Sequence, residues 1–178
     1  CASLRKGKIE FINLPVAFDI ETSSFYEGDE KRACMYEWSF AIAELVVIGR
    51  TWEEFDDLLQ EIKQIYGVSE KRRMLIFVHN LSYEFQFIRK RFEWKSVFAL
   101  DELKPVKAVT VDGFEFRCSY QLTGYSLAKL AEQIVKNPIK KKTGDLDYKL
   151  IRHSETPLSD EELGYCINDV LILTRFIA

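Results

Sequence analysis

The chain has 178 residues and a mass of 20.8 kDa, which is the usual size of one domain. Hydrophobic residues make up 47% of it and charged residues 30%, a globular composition that excludes long-range disorder and collagen-like repeats. The formal net charge of −3 excludes a global basic field. A polyanionic partner would therefore have to be held by a local basic groove or by bound cations.

The cysteines and the apolar runs argue against a zinc-binding protein and against a membrane protein. The four cysteines are widely spread and form no C-x-x-C pair, which argues against structural zinc and suits a reduced cytosolic protein. Glu44 interrupts the apolar stretch around residues 41–48, and no run reaches membrane-spanning length. We expect a cytoplasmic monomer without a membrane segment. The first residues lack Met and an apolar core, so they resemble a cut from a longer chain rather than a signal peptide.

The first predicted elements are strands. Residues 16–20 follow a proline and are typical of a buried strand that carries one anomalous charge, Asp19. Residues 35–48 are rich in strand-forming side chains and predict two strands, which Gly49 ends. Residues 1–14, which precede these strands, are expected to form an N-terminal arm, and residues 15–178 the domain itself.

A helix with complete start and stop signals comes next. Thr51 and Glu54 form a capping box, helical periodicity follows, and Gly67 ends the pattern. Residues 74–78 then predict a second buried strand, and a helix is predicted over residues 82–93.

A hairpin and two helices complete the prediction. Asp112-Gly113 is the two-residue pattern of a tight turn, and strands are predicted over 107–111 and 114–118 on either side of it. Ser126 can cap a short helix over residues 127–135, and Ser159 starts a capping box for a last helix that runs to the C-terminus. Together these elements predict an α/β fold, a mixed sheet flanked by helices.

Two acidic side chains end the first predicted strand. Asp19 and Glu21 are two residues apart, so they project from the same face of an otherwise apolar strand. Adjacent carboxylates repel each other, and a divalent cation such as Mg²⁺ or Mn²⁺ relieves that repulsion. The alternative interpretation is that the pair lies at a solvated strand end.

Two further places carry acids near apolar sequence. Glu84 falls in the first turn of a predicted helix, where a carboxylate is also expected simply to face the helix dipole. Tyr165 and Asp169 are one helical turn apart, and Asp169 lies among apolar residues, where its alternative partner is a Lys or Arg. Jointly, the three places supply four acids, as a site for two cations about 3.5–4 Å apart requires.

Three segments, in this order, resemble the exonuclease motifs of family B DNA polymerases: 18–22 (Phe-Asp-Ile-Glu-Thr), 79–84 (His-Asn-Leu-Ser-Tyr-Glu) and 165–169 (Tyr-Cys-Ile-Asn-Asp). The His-Asn-Leu loop and residues 143–148 are similar in particular to the protein-primed branch of bacteriophages and linear plasmids. This resemblance covers the chain from about Val16 to its end. It implies a ribonuclease H-like fold and a proofreading 3′-5′ exonuclease of the DEDD type with a tyrosine.

The resemblance also implies roles for individual residues. Asp19, Glu21 and Asp169 would hold two Mg²⁺ or Mn²⁺ ions, Glu84 takes the place of the motif-two acid, and Tyr165 would orient the attacking water. Members of the family contact the single-stranded 3′ end of DNA at several further positions. The residues of this chain that match these positions or lie beside them are Thr22, His79, Asn80, Tyr83, Ser119 and Tyr120.

The chain departs from the family pattern at two positions. The motif-two acid is usually Asp, and Glu84 is one methylene longer. The catalytic lysine of the family would fall at Thr143, so Lys142, one residue away, is the candidate for that role. Nothing resembles the D-T-D polymerase motif, and the chain therefore resembles an excised exonuclease domain.

The resemblance sets the expected substrate, partner and compartment. We expect hydrolysis of single-stranded DNA 3′ ends to nucleoside 5′-monophosphates, a polymerase domain in the same longer polypeptide, and, for a bacteriophage gene, the cytoplasm of the bacterial host. Two other functions stay open. A stand-alone RNA exonuclease would use the same acids but tolerate a 2′-hydroxyl, and a non-catalytic module would bind single strands without metal.

Overall fold

The computed structural model describes residues 3–143 and 146–178, and the backbone of these residues forms the predicted mixed α/β architecture. The strands in this part of the chain are β1 (Ser3–Lys6), β2 (Ile9–Ile12), β3 (Val16–Glu27), β4 (Glu30–Ile42), β5 (Leu45–Gly49), β6 (Arg72–Val78), β7 (Trp94–Ala99), β8 (Pro105–Thr110) and β9 (Phe114–Cys118). The helices in it are α1 (Trp52–Tyr66), α2 (Leu81–Ile88), α3 (Ser119–Thr123), α4 (Leu127–Glu132) and α5 (Asp160–Ile177).

The strands form a mixed sheet in the order β5-β4-β3-β6-β9-β8-β7. β6 is parallel to both of its neighbours, β3 and β9, whereas the other neighbouring pairs in this order are antiparallel. β1 and β2 form a hairpin, and β2 pairs with the start of β6. The residues of the predicted N-terminal arm that the structure describes therefore extend the sheet.

α1 covers one face of the sheet and confirms the predicted capping box. Thr51 and Glu54 cap each other's backbone, and Gly67 ends the helix in the left-handed conformation. Phe55 packs into the core, and its ring stacks on that of Phe18 at a centroid distance of 4.8 Å. Because Phe18 faces α1, its neighbour Asp19 faces the opposite side of β3.

α5 covers that opposite side. Val170 and Leu173 pack against Ala17 and Ala41, which are cross-strand partners in β3 and β4. Alanines at this contact allow the helix backbone to approach the sheet closely. The capping box at Ser159 confirms the predicted start of α5. No helix in the described ranges combines the length and the apolar character needed to cross a bilayer.

The predicted hairpin is present as β8 and β9. Gly113 has φ +109°, and a Cβ on it would lie 2.1 Å from the carbonyl oxygen of Ser69, so only glycine fits this turn. β9 runs parallel to β6, and Val78 pairs with Cys118. This pairing places the segment after β6 beside the segment after β9, which positions part of the site.

The region after Glu84 differs from its prediction. The helix predicted over residues 82–93 ends at Ile88, and β7 follows where no strand was predicted. The reason is tertiary, because the Phe92 and Trp94 rings pack on Phe116 at 5.8 and 6.0 Å and draw the chain away from the helix axis. Aromatic packing onto the sheet thus overrides local helix propensity here.

Candidate active site

β3 and β4 place three carboxyl groups on the sheet face that α5 covers. Asp19 and Glu21 share this face because they are two residues apart, whereas Ile20 points into the core on the other side. The cross-strand partner of Asp19 is Ser39, and that of Glu21 is Glu37. Residues directly opposite each other lie on the same face, so β4 adds a carboxyl group that the three sequence motifs do not contain.

α2 contributes a fourth, deeply buried acid. Leu81, Glu84 and Ile88 lie on one buried face of the helix, and only 4% of Glu84 is exposed. The side chains of Glu84 and Asp19 are in hydrogen-bonding contact. The Oε2 atom of Glu84 is buried and has no hydrogen-bond partner in the part of the chain that the structure describes. An unpartnered buried carboxylate oxygen is costly and calls for a ligand that compensates it.

α5 brings the third motif over β3. Tyr165 and Asp169 are one turn apart on the helix, and Asp169 is buried. The Lys141 Nζ atom donates to Asp169 Oδ1 at 2.6 Å and to the Tyr165 hydroxyl at 3.0 Å. It also lies 4.2 Å from the centroid of the tyrosine ring. One ammonium group therefore ties both predicted site residues of this helix together.

The structure places Lys141, rather than the predicted Lys142, against these two residues. The Lys142 backbone N–H donates to Asn168 Oδ1 at 2.9 Å, and its Nζ lies beside Gly164. The Asn168 amide also donates to the Lys140 carbonyl at 3.1 Å. The Asn168 side chain thus holds the backbone of both Lys140 and Lys142. Lys141 lies between these two contacts, and its side chain points at the carboxylates. The lysine at the site is thus one residue earlier than predicted.

The carboxyl groups raise one another's proton affinity. Burial, followed by the charge of Asp169, raises the pKa of Asp19 to about 7. Burial and the charge of Asp19 raise the pKa of Glu21 to about 9, and the same two causes raise the pKa of Glu84. Burial also raises the pKa of Asp169, against the opposing effect of Lys141. At neutral pH the cluster therefore retains protons that isolated carboxyl groups would release.

Residues predicted to contact DNA line one side of these acids. The β3–β4 register shifts between Glu21 and Thr22, which re-aims the strand just beyond the acidic pair. The Thr22 hydroxyl is hydrogen-bonded to the Tyr83 hydroxyl across the site. Asn80 is exposed at the start of α2, and its side chain makes no capping bond. The structure thus brings these three residues together at the surface above the acids.

The second predicted DNA-contacting group sits where β6 and β9 end side by side. His79 Nδ1 and Ser119 Oγ are 3.0 Å apart, and the Tyr120 backbone N–H donates to the His79 carbonyl at 3.1 Å. The His79 and Tyr120 rings meet edge to face at 6.0 Å. Burial lowers the pKa of His79, which favours a neutral imidazole. Tyr120 keeps an exposed ring that a nucleobase can stack on.

Comparison with known proteins identifies the family. A family model described as 3′-5′ exonuclease matches residues 1–178. The chain belongs to the 3′-5′ exonuclease family. No curated protein sequence gives a significant match.

Solved structures of Phi29 DNA polymerase share the fold of this exonuclease domain. The ternary complex with primer-template DNA and nucleotides has a TM-score of 0.69 and 17% sequence identity, over 92% of this chain and 30% of that one. The complex with single-stranded DNA has a TM-score of 0.66 and 16% identity, over 92% and 31% respectively. These matches confirm the predicted ribonuclease H-like fold. The chain spans about a third of the length of these polymerases.

The acidic residues of this exonuclease fit divalent cations in donor type and charge. Every side chain of the cluster offers oxygen, the donor that Mg²⁺ and Mn²⁺ prefer. Among the described residues, the buried Glu84 Oε2 atom has no hydrogen-bond partner that would compete with a cation. In the described ranges, no three His, Cys, Asp or Glu side chains converge as ligands of one ion, and Lys141 instead pairs with Asp169. Cation binding would therefore have to draw the acids together.

The loop before α5 contributes a residue that the sequence singled out only as part of a motif. Gly144 and Asp145 of the predicted 143–148 segment lie outside the described residues. Tyr148 contacts the Tyr165 hydroxyl, and burial together with this contact raises the pKa of Tyr148 to about 12. The sequence prediction gave no individual site role to Lys141, Asn168 or Glu37. For Asn168, its position directly before the acid of the third motif was the available signal.

Proposed function

We propose that this chain is the proofreading 3′-5′ exonuclease domain of a protein-primed family B DNA polymerase. It removes nucleoside 5′-monophosphates from the 3′ end of single-stranded DNA. Membership of the exonuclease family supports the reaction, and the fold shared with Phi29 DNA polymerase supports the branch. The observation that carries the site is that Asp19 interacts with both Glu84 and Asp169, so that carboxyl groups from three separate elements lie close together, while the Lys141 ammonium pairs with Asp169.

Two divalent cations are the proposed cofactors. Asp19, Glu21 and Asp169 would hold them directly, and Glu84 would fill the remaining acidic position through its free Oε2. When bound, such cations activate water for in-line attack on the terminal phosphodiester and stabilise the leaving 3′ oxygen. Glu84 is longer than the usual Asp, and its contact with Asp19 supports a place for the extra methylene within the cluster.

Tyr165 and Lys141 act next to the scissile phosphate in this proposal. The Tyr165 hydroxyl is held by the Lys141 ammonium at 3.0 Å, which leaves the phenolic O–H free to donate to an attacking water or a phosphate oxygen. Because Lys141 also binds Asp169, it fixes the distance between the tyrosine and the carboxylates. A lysine beside the phosphate further offsets the charge that develops on the departing group.

The substrate strand would lie across the Thr22–Tyr83 pair and the His79–Ser119–Tyr120 group. Tyr83 is 37% exposed and Tyr120 is 46% exposed, so both rings are available for stacking on unpaired bases without reading their sequence. The hydroxyl group of Thr22 and the amide of the exposed Asn80 would supply donors for the DNA backbone, whereas the buried Ser119 would act by positioning His79. Exposed aromatic rings with hydroxyl and amide donors suit an unpaired end better than a duplex.

The test is degradation of a 5′-labelled single-stranded DNA oligonucleotide with Mg²⁺, Mn²⁺ or EDTA. The parent should give a cation-dependent ladder that shortens from the 3′ end, and Asp19→Ala and Asp169→Ala should each abolish it. Asp57→Ala is the matched control, because Asp57 is an exposed acid of α1 on the other face of the sheet. An RNA oligonucleotide run in parallel measures tolerance of the 2′-hydroxyl.

The outcomes separate the proposal from its rivals. Faster degradation of RNA than of DNA would favour a stand-alone RNA exonuclease. Intact DNA at high protein concentration in both metals, together with retained binding of single strands, would overturn the exonuclease proposal in favour of a non-catalytic binding module. A polymerase domain in the same polypeptide, a monomeric state and action in the cytoplasm of a bacterial host also remain parts of the proposal.

A further inference from the structure

Glu37 is a buried acid that the proposed reaction does not use. It lies on β4, only 1% of it is exposed, and it is the cross-strand partner of Glu21. Ser39 Oγ donates to Glu37 Oε1 at 2.5 Å. The thiol of Cys166, on α5 next to Tyr165, is its second hydrogen-bond partner. Glu37 is therefore enclosed between the sheet and the helix that carries the third motif.

No cation within the described residues pairs with Glu37. The nearby Arg50 directs its guanidinium to backbone carbonyls, those of Tyr36 at 2.7 Å and Thr156 at 2.6 Å. Glu115 is an equally buried glutamate of the same sheet, and its charge is compensated by ion pairs with Arg73 and Arg117. A buried carboxylate without such a partner costs stability.

The hydrogen bonds of Glu37 do not explain why it is an acid. A hydroxyl and a thiol donate to it, and the amide oxygen of a glutamine would accept both bonds without a buried charge. What the carboxyl group adds is the capacity for negative charge beside Glu21, its cross-strand partner. On a face that already holds Asp19 and Glu21, more negative charge serves the attraction of positive ions.

We propose that Glu37 is a fifth acidic group of the cation site, a positioning residue that acts through Glu21. It does not touch substrate. Its charge raises the affinity of the site for divalent cations. The same buried acid lowers the stability of the cation-free protein. This inference rests on the proposed exonuclease function, because that function supplies the cations.

The test is Glu37→Gln, studied by thermal unfolding in EDTA and across a titration with Mg²⁺ and with Mn²⁺. The cation-free variant should melt at a higher temperature than the parent, because a buried carboxyl beside other carboxyls has been removed. The cation concentration that gives half of the stabilisation should rise about tenfold, since one nearby charge is lost. A group with a merely structural role would not raise both the melting temperature in EDTA and the cation concentration needed for half of the stabilisation.

Three variants isolate the charge from the other properties of the side chain. Glu37→Asp keeps the charge and should keep the cation affinity near that of the parent. Ser39→Ala removes one hydrogen bond and should also leave the affinity nearly unchanged. Glu115→Gln removes the other buried glutamate, and it should lower the melting temperature because it leaves Arg73 and Arg117 unpaired, without changing cation affinity.

Failure of this inference is distinguishable from failure of the proposed function. If cations stabilise the parent and Glu37→Gln equally at equal concentrations, the role assigned to Glu37 is overturned and the cation site stands. That role is also overturned if Glu37→Asp loses as much affinity as Glu37→Gln, or if Glu37→Gln melts lower than the parent in EDTA. If cations do not stabilise the parent at all, both proposals are overturned.

Discussion

Lys141 is the residue on which the proposed chemistry depends most directly, since it contacts both Tyr165 and Asp169. Lys141→Met keeps the aliphatic stem and removes the ammonium group. We expect the rate of exonuclease turnover on single-stranded DNA to fall about 10²-fold, because a charge aimed at the reacting phosphate and the support of the tyrosine are both lost. The value of KM should change little. Steady-state kinetics on a short oligonucleotide measure both quantities.

The control for this prediction is Lys142→Met, one residue along the chain. Lys142 bonds Asn168 through its backbone N–H, which a methionine retains, and its exposed side chain lies beside Gly164 rather than at the carboxylates. Turnover should therefore stay within about twofold of the parent, as is usual for exposed positions away from the reacting groups. A larger loss in Lys142→Met than in Lys141→Met would overturn the role proposed for Lys141.

The residues of the site were predictable to the extent that they lie on regular elements. Strand alternation puts Asp19 and Glu21 on one face, and helix periodicity puts Tyr165 and Asp169 together, so the sequence pattern is sufficient for these pairs. Lys141 lies in an irregular segment without periodicity. There, the two hydrogen bonds of Asn168 decide which side chain faces inward, and spacing carries no information about them.

At the scale of elements, Arg152 holds the loop before α5 against both the helix and the sheet. Its guanidinium donates to Glu162 Oε1 at 2.6 Å and to the Asp147 carbonyl at 2.9 Å, and its backbone N–H donates to Ser23 Oγ at 2.7 Å. Glu162 also caps α5, one turn before Tyr165. The start of this helix, and with it the tyrosine, is therefore fixed through Arg152.

We expect Arg152→Ala to lower the free energy of unfolding by about 3 kcal/mol, because it leaves the partly buried Glu162 without its partner. Turnover should fall as well, since Tyr165 loses its fixed position. Arg32→Ala is the matched control, because the ion pair of Arg32 with Glu27 is exposed and should contribute less than about 1 kcal/mol. Urea unfolding of the three proteins measures the difference, and equal losses in both variants would contradict the role of Arg152.

The elements that the sequence predicted well carry their own boundary signals. α1 and α5 begin at capping boxes, and the β8–β9 hairpin turns at Asp112-Gly113, so local chemistry determines them. The end of α2 and the start of β7 follow instead from the packing of Phe92 and Trp94 on distant Phe116. The β1–β2 hairpin likewise depends on the pairing of β2 with β6, and no local sequence pattern predicts that pairing.

For the whole molecule, the fold class followed from the succession of strands and helices, but the sheet order did not. β3, β6 and β9 are far apart in sequence and become parallel neighbours only in the folded chain. This parallel centre brings the first two motifs together, and the packing of α5 on β3 and β4 adds the third, so a modest total charge conceals a concentration of acid at one point. The formal net charge of −3 gives no indication of it.

That concentration of acid predicts how the stability of the cation-free protein depends on pH. Burial raises the pKa of Asp19 to about 7, of Glu37 to about 8 and of Glu21 to about 9, all above their values in an unfolded chain. At pH values between the pKa of each carboxyl group in the unfolded chain and its raised pKa in the folded protein, the folded state binds more protons than the unfolded state. The free energy of unfolding therefore falls as pH rises from about 5 to about 9. Denaturant unfolding in EDTA at several pH values measures this slope. Mg²⁺ or Mn²⁺ should flatten it, because a bound cation favours the ionised carboxylates and stabilises the folded state most where they are ionised. A slope in EDTA that is flat or rises with pH would contradict the gathering of these acids in one buried cluster.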